Sequence, residues 1–327
     1  MEKALDLISF YDSFSLCNKN SFDIFYSLDN IICLAFATEE NKLAVYDIDN
    51  GKLLYHLSQC FFNPITTIKY YFDEIKRRDL IVLFSYGDME ISIFDLKKPR
   101  AEYIFNFSNL EFIYIDSFSL FKYDNKVLLI ISQSQIKKNN AFSKLISYDL
   151  NKNIQKIIQI PDSFNNMFVY HDTIDYIIGM NNKHVFSLEY DDENSRKIFI
   201  TDNPKKKPYN AIIIGSGEQA KLIYSCADNN LRILNFHSGD LINIIELGSI
   251  VDFCPLYNDK LIVGLKDGNI KIVNINQKSI ISEQKGHSAG ISTVKSFIKE
   301  NKRFLISQSS VNDSKIKIWK INNIIDN

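Results

Sequence analysis

Four side chains near the C-terminus have the types and spacing to act together: His287, Ser307, Asp313 and Trp319. A His, a Ser and an Asp are the parts of a hydrolytic triad, where the imidazole takes the hydroxyl proton and the carboxylate orients the ring. The competing reading is structural: the same polar atoms, with the indole N–H, bond one another inside a sheet. A second set, Gly215-Ser-Gly217-Glu-Gln-Ala220, follows an apolar run and matches a dinucleotide fingerprint in spacing. That fingerprint needs a following helix whose N-terminus receives the pyrophosphate. The residues after it, through Cys226, read instead as a strand ending at the turn Asp228-Asn229-Asn230. The glycines therefore read as a turn between two strands. Asp191-Asp192-Glu193 reads as a solvated turn rather than a Ca²⁺ loop. The five His and five Cys include no H-x-x-x-H and no C-x-x-C. No P-loop, G-x-S-x-G or kinase signature occurs. No catalytic centre, cofactor or metal is expected.

The elements that position these residues repeat. A polar turn, an alternating apolar strand and a closing large residue followed by a polar one recur with ends at Asp47, Asp95, Asp149, Glu189, Asn235, Asn274 and Lys320. These ends lie roughly 45 residues apart, the period of a four-stranded blade. In the sixth unit, apolar runs over 250–257, 260–265, 269–275 and 278–282 are separated by Asn258-Asp259, Asp267-Gly268 and Asn276-Gln277. Val, Ile, Phe and Tyr at alternate positions favour strands, and Asx and Gly pairs favour tight turns. Seven such units nearly exhaust 327 residues. The spacing predicts an all-β chain, one seven-bladed β-propeller of four-stranded antiparallel blades. The blades are expected over roughly 20–58, 62–108, 111–160, 163–202, 208–247, 249–284 and 288–321. Residues 4–10 have no blade of their own and are expected to close the last one as its outer strand.

The last unit resembles a WD40 repeat. It carries Gly286-His287, the strand Ser307, the turn Asp313 and Trp319, with Lys320 where the family has Asp. The loop before Asp313 is one residue longer than typical, which leaves Asn312 as an alternative to it. The resemblance implies that His287, Ser307, Asp313 and Trp319 form a hydrogen-bonded structural tetrad within one blade. In the other units Trp is replaced by Tyr46, Phe94, Tyr148, Leu188, Leu234 and Val273. The resemblance also implies that the loops before each first strand, and those between second and third strands, share one face. That face would carry Lys137 and Lys138 in an enlarged loop over 133–141. It would also carry Lys205, Lys206 and Lys207 between Pro204 and Pro208, with Lys266 and Lys285, and Glu39, Glu40 and Asp88 toward blades one and two.

Lys plus Arg number 38 and Asp plus Glu 39. So balanced a chain has no bulk attraction for nucleic acid or anionic lipid. Odd, sparse cysteines argue against a disulfide framework and for a reducing compartment. Glu2, Asp6 and Asp12 interrupt the N-terminal apolar stretch, unlike a signal peptide, and no apolar run is long enough for a membrane helix. A cytoplasmic or nuclear location is expected. The function read from this is a non-catalytic scaffold, a WD40-type subunit of an intracellular multiprotein complex whose partners are other proteins. The alternative is a reader that binds a phosphorylated or acidic peptide at a basic rim of Lys137, Lys138 and Lys205–Lys207. A propeller enzyme ranks last. The Lys205–Lys207 run is open to three readings: a solvated linker, a nuclear localisation signal, or a partner contact.

Overall fold

In the computed structural model the described chain is all of the sequence except residues 1–4, 13–21, 39–40, 58–60, 99, 108–112, 138–139, 161, 182, 193–194, 201–206, 258, 310–314 and 323–327. Its strands form seven four-stranded antiparallel sheets arranged as the blades of a ring. Blade 1 holds β2 (Phe22–Tyr26) through β5 (Lys52–Leu57), and blade 2 holds β6 (Ile65–Asp73) through β9 (Ala101–Asn106). Blade 3 holds β10 (Ile113–Tyr123), β11 (Lys126–Lys137), β12 (Asn140–Asp149) and β13 (Ile154–Ile160). Blade 4 runs from β14 (Asn166–His171) to β17 (Lys197–Ile200), and blade 5 from β18 (Pro208–Ile214) to β21 (Leu241–Glu246). Blade 6 runs from β22 (Ile250–Tyr257) to β25 (Ser279–Lys285). Blade 7 combines β26 (Ile291–Lys299), β27 (Lys302–Ser309) and β28 (Lys315–Ile321) with the first strand, β1 (Leu5–Asp12).

Burial explains the strand sequences. Each blade has a neighbour on both faces, so its second strand is covered twice and loses the polar alternation of a half-exposed strand. The second strand of blade 1, Ile32–Ala37, and that of blade 2, Arg78–Ser85, are buried at every position. The outermost strands face solvent, and β13 and β21 are mostly exposed. The buried apolar side chains fall into seven clusters, one for each interface between adjacent blades, including that between blades 7 and 1. Closure is made by β1, whose Leu5 is 1 % exposed against Trp319 and Ile321. Leu7 pairs with Trp319, and the Leu5 carbonyl accepts a 3.1 Å hydrogen bond from Gln284 of blade 6. A strand that would otherwise present an open edge is thus paired.

One local expectation is corrected. Residues 133–141 are not an enlarged loop. The strands β11 and β12 stay in register out to Lys137 opposite Asn140, which extends the hairpin beyond the neighbouring blades. Ser132 to Gln135 continue the ladder opposite Leu145 to Phe142, and the buried Ser132 Oγ accepts from the Phe164 N–H at 2.9 Å. The Gly215–Ala220 segment is the turn between β18 and β19, with a single 3₁₀ turn at Gly217–Gln219 and left-handed backbone at Gly215 and Gly217.

Candidate interaction surface

The closing large residue of the third strand sits beside a structural irregularity in every blade but the fourth. In blades 1, 2, 3, 5 and 6 the register shifts at Tyr46, Phe94, Tyr148, Leu234 and Val273. In blade 7 the shift lies in β1 beside Trp319. A bulge adds local twist and re-aims the side chain. In blade 7 that side chain is Trp319, whose Nε1–H donates to Ser307 Oγ at 2.8 Å. Ser307 Oγ lies 2.7 Å from His287 Nε2, and the His287 and Trp319 rings meet edge to face at 6.5 Å. Ser307 is fully buried, so its hydroxyl meets no solvent. Asp313 lies outside the described residues. The Gly286-His287 step is fixed by backbone contact with the preceding blade: both N–H groups donate to the Gly268 carbonyl, at 3.0 and 3.1 Å. A Cβ on Gly268 would lie 2.4 Å from the His287 carbonyl oxygen, and its φ is +87°. Only glycine fits there.

The antiparallel blade order places the segments entering each first strand, and those joining second to third strands, on one face, here the upper face. Exposed aromatics gather there: Phe62 at 90 %, with Tyr86, Tyr114, Phe142 and Tyr209. Asp88 fixes two of them. Its carboxylate accepts from Asn63 N and Nδ2 at 3.1 and 2.8 Å and from Ser85 Oγ at 2.8 Å, which ties the segment carrying Phe62 to the turn carrying Tyr86. Burial raises the Asp88 carboxyl, but hydrogen bonds from Asn63 and Ser85 outweigh it and hold it below the usual carboxylate range.

Bulges also mark the upper ends of the innermost strands. Register shifts enclose Thr66 in blade 2, Asp116 in blade 3 and Tyr209 in blade 5. All three line a cavity of about 660 Å³ at the upper mouth of the ring, shared by blades 2 to 5. Burial pushes the Asp116 carboxyl up against the lowering effect of hydrogen bonds with Ser134 and Ser163. Asn181 of blade 4 is 5 % exposed, and its Oδ1 accepts from the backbone N–H groups of Lys183 and His184, both at 2.8 Å. Lys207 also lines this cavity and is exposed. Of the other rim lysines, Lys137 ends β11 but its side chain, like Lys138, Lys205 and Lys206, lies outside the described residues. Lys266 is exposed on the upper turn of blade 6, and Lys285 donates to the Asp267 carbonyl there.

Below the mouth runs a girdle of polar contacts that links the innermost strands. Lys295 of blade 7 pairs with Asp23 of blade 1 at 2.5 Å, and Asp23 accepts from the Tyr70 N–H of blade 2 at 2.7 Å. Lys69 of blade 2 donates to the Phe118 carbonyl of blade 3 at 2.5 Å and to the Met167 carbonyl of blade 4 at 3.4 Å. Asn166 of blade 4 donates to Asn210 of blade 5 at 3.4 Å, and Asn210 to Asp252 of blade 6 at 2.5 Å. Asp252 accepts from the Val294 N–H of blade 7 at 3.0 Å, which closes the circuit. The sequence reading missed these residues. Their signal was the blade period itself: Asn166, Asn210, Asp252 and Val294 stand 44, 42 and 42 residues apart.

Fold and face together define a closed seven-bladed β-propeller. No family model matches the chain, and no curated protein matches it. Solved structures do. The crystal structure of BBS1N in complex with ARL6DN, soaked with mercury, is 11 % identical, with a TM-score of 0.73 over 99 % of this chain and 100 % of that one. A second crystal of that complex, soaked with lead, is 11 % identical with a TM-score of 0.72 over 99 % and 98 %. At this identity the likeness is one of fold. Because 1429 chains of solved structures match, fold alone selects no partner.

Proposed function

We propose that this propeller is a non-catalytic interaction module, a WD40-type scaffold subunit of an intracellular multiprotein complex, in the cytoplasm or nucleus. The upper face of blades 2 to 5 meets the partner. The observation that carries this reading is the set of exposed aromatics around one polar cavity, held by the Asp88 contacts. Aromatic side chains supply large contact area at low entropic cost and dominate interface energetics. The resemblance of 286–320 to a WD40 repeat and the His287–Ser307–Trp319 bonding support the WD40-type reading. The complex of BBS1N with ARL6DN, another protein, supports a protein partner. Cys33, Cys226 and Cys254 are buried and form no disulfide among the described residues, which supports a reducing compartment.

The acidic-peptide reader remains a second reading because Lys207 stands at the mouth of the cavity. Co-purification from native cells separates the two. A scaffold brings down a stoichiometric partner that withstands phosphatase and high salt. A reader loses its partner under either treatment, and neutralising Lys137, Lys138 and Lys205–Lys207 weakens it at low salt while leaving melting unchanged.

A further inference from the structure

Two polar atoms in the upper cavity have no hydrogen-bond partner among the described residues: Asp116 Oδ2 and Asn181 Nδ2. One accepts and one donates, and both are shielded from solvent. Burying such atoms unpaired costs free energy that a guest of complementary chemistry recovers. Asn181 cannot turn away to find another partner, because its Oδ1 anchors the turn through Lys183 and His184. Asp116, at the register shift in β10, lines the same cavity and is held by hydrogen bonds with Ser134 and Ser163.

We infer that this mouth receives a basic side chain from an extended segment of the partner protein, with its cationic head on Asp116 and a main-chain carbonyl on Asn181 Nδ2. The inference rests on the interaction reading above and names the chemistry of its site. Charge selects the guest. Among the described residues, Asp116 is the only carboxylate lining the cavity. An anionic guest would be buried beside a carboxylate, and a neutral guest without a donor would leave its Oδ2 without a partner. Volume permits it, because about 660 Å³ lies in the range of ordinary ligand sites. The lips favour arginine over lysine: Tyr86 and Tyr209 both line the opening, and a planar guanidinium stacks on aromatic faces. Lys207 opposes a cation only weakly, because it is exposed and screened.

The test uses three capped tripeptides, acetyl-Ala-X-Ala-amide, with X as arginine, citrulline or glutamate. Citrulline keeps the shape of arginine and removes the charge. Each is titrated by saturation-transfer NMR into the parent, Asp116→Asn and Lys207→Ala proteins, with melting curves as the check on folding. The parent binds the arginine peptide about tenfold more tightly than the citrulline peptide, the margin of a charge-assisted hydrogen bond over a neutral one. Asp116→Asn erases that margin, and Lys207→Ala keeps or widens it. Equal binding of the arginine and citrulline peptides to the parent overturns the inference, as does tighter glutamate binding, a margin that survives Asp116→Asn, or no saturable arginine binding. The parent arm decides even if Asp116→Asn does not fold. If native-partner capture falls in Tyr86→Ser/Tyr209→Ser while no arginine margin appears, the interaction reading stands and this inference fails.

Discussion

Trp319 is buried to 3 % exposure, and its one polar atom is spent on a fully buried hydroxyl. Replacing it with Ala leaves a cavity between blades 6 and 7 and removes one of the two partners of Ser307 Oγ, so Trp319→Ala loses about 3–5 kcal/mol. His287→Ala removes one partner from the same hydroxyl and loses about 1–3 kcal/mol. Denaturant midpoints measure both, and a normal midpoint for His287→Ala would contradict a structural role. The bonding pattern was legible in the residue types of this blade alone. In register, the place of Ser307 is held by Phe36, Leu83, Ile131, Gly179, Tyr224 and Val263 in blades 1 to 6. Packing replaces the hydrogen bond there. In blade 1 the Phe36 and Tyr46 rings stack at 5.6 Å where Ser307 and Trp319 would bond. Hence the spacing survives where the motif letters do not.

At the scale of the element, the outermost strand of blade 7 is the one most remote in sequence from its neighbours. Removing residues 1–12 uncovers the edge of β28 and the faces of Trp319 and Ile321. The truncated chain is expected to melt several degrees lower or to aggregate on expression, because an open, apolar edge strand templates pairing with other chains. A melting curve equal to that of the full chain would contradict the closure role. Strand positions were legible because turn residues and alternation repeat with the blade. The long β11–β12 hairpin was not, because Gln, Ser, Lys and Asn there carry loop-like composition while the ladder continues. The cavity residues were equally hidden. Asp116 and Asn181 come from different blades, and only the ring brings them to one mouth.

At the scale of the whole molecule, the girdle makes the ring answer to pH. Lys69 is half-buried, with its amine held between the carbonyls of blades 3 and 4. Desolvation, with the nearby charge of Lys295, lowers its pKa to about 8, and Asp23 offsets this only in part. Between pH about 8 and 10.5 the unfolded chain binds this proton and the folded chain does not, so stability rises with pH across that window. Below it the buried charge costs about 2–3 kcal/mol. Buried thiols act in the opposite sense above pH about 9, since burial raises the Cys33 pKa to about 12. The comparison is therefore made with Lys69→Met. The stability of the parent relative to Lys69→Met is expected to climb by about 2–3 kcal/mol as pH rises through the window; a flat difference would show that the amine is solvated. The girdle joins the seven blades beneath one upper face, and the proposed role of this face is to meet the partner. Its most direct measurement is quantitative capture of the native partner by three tagged proteins. These are the parent, the upper-face variant Tyr86→Ser/Tyr209→Ser, and the lower-face variant Ile75→Ser/Ile174→Ser, whose positions are exposed at the opposite turns. Parent and lower-face variant are predicted to capture the same stoichiometric partner while the upper-face variant loses it at least about tenfold. Loss in the lower-face variant with retention in the upper-face variant would contradict that role.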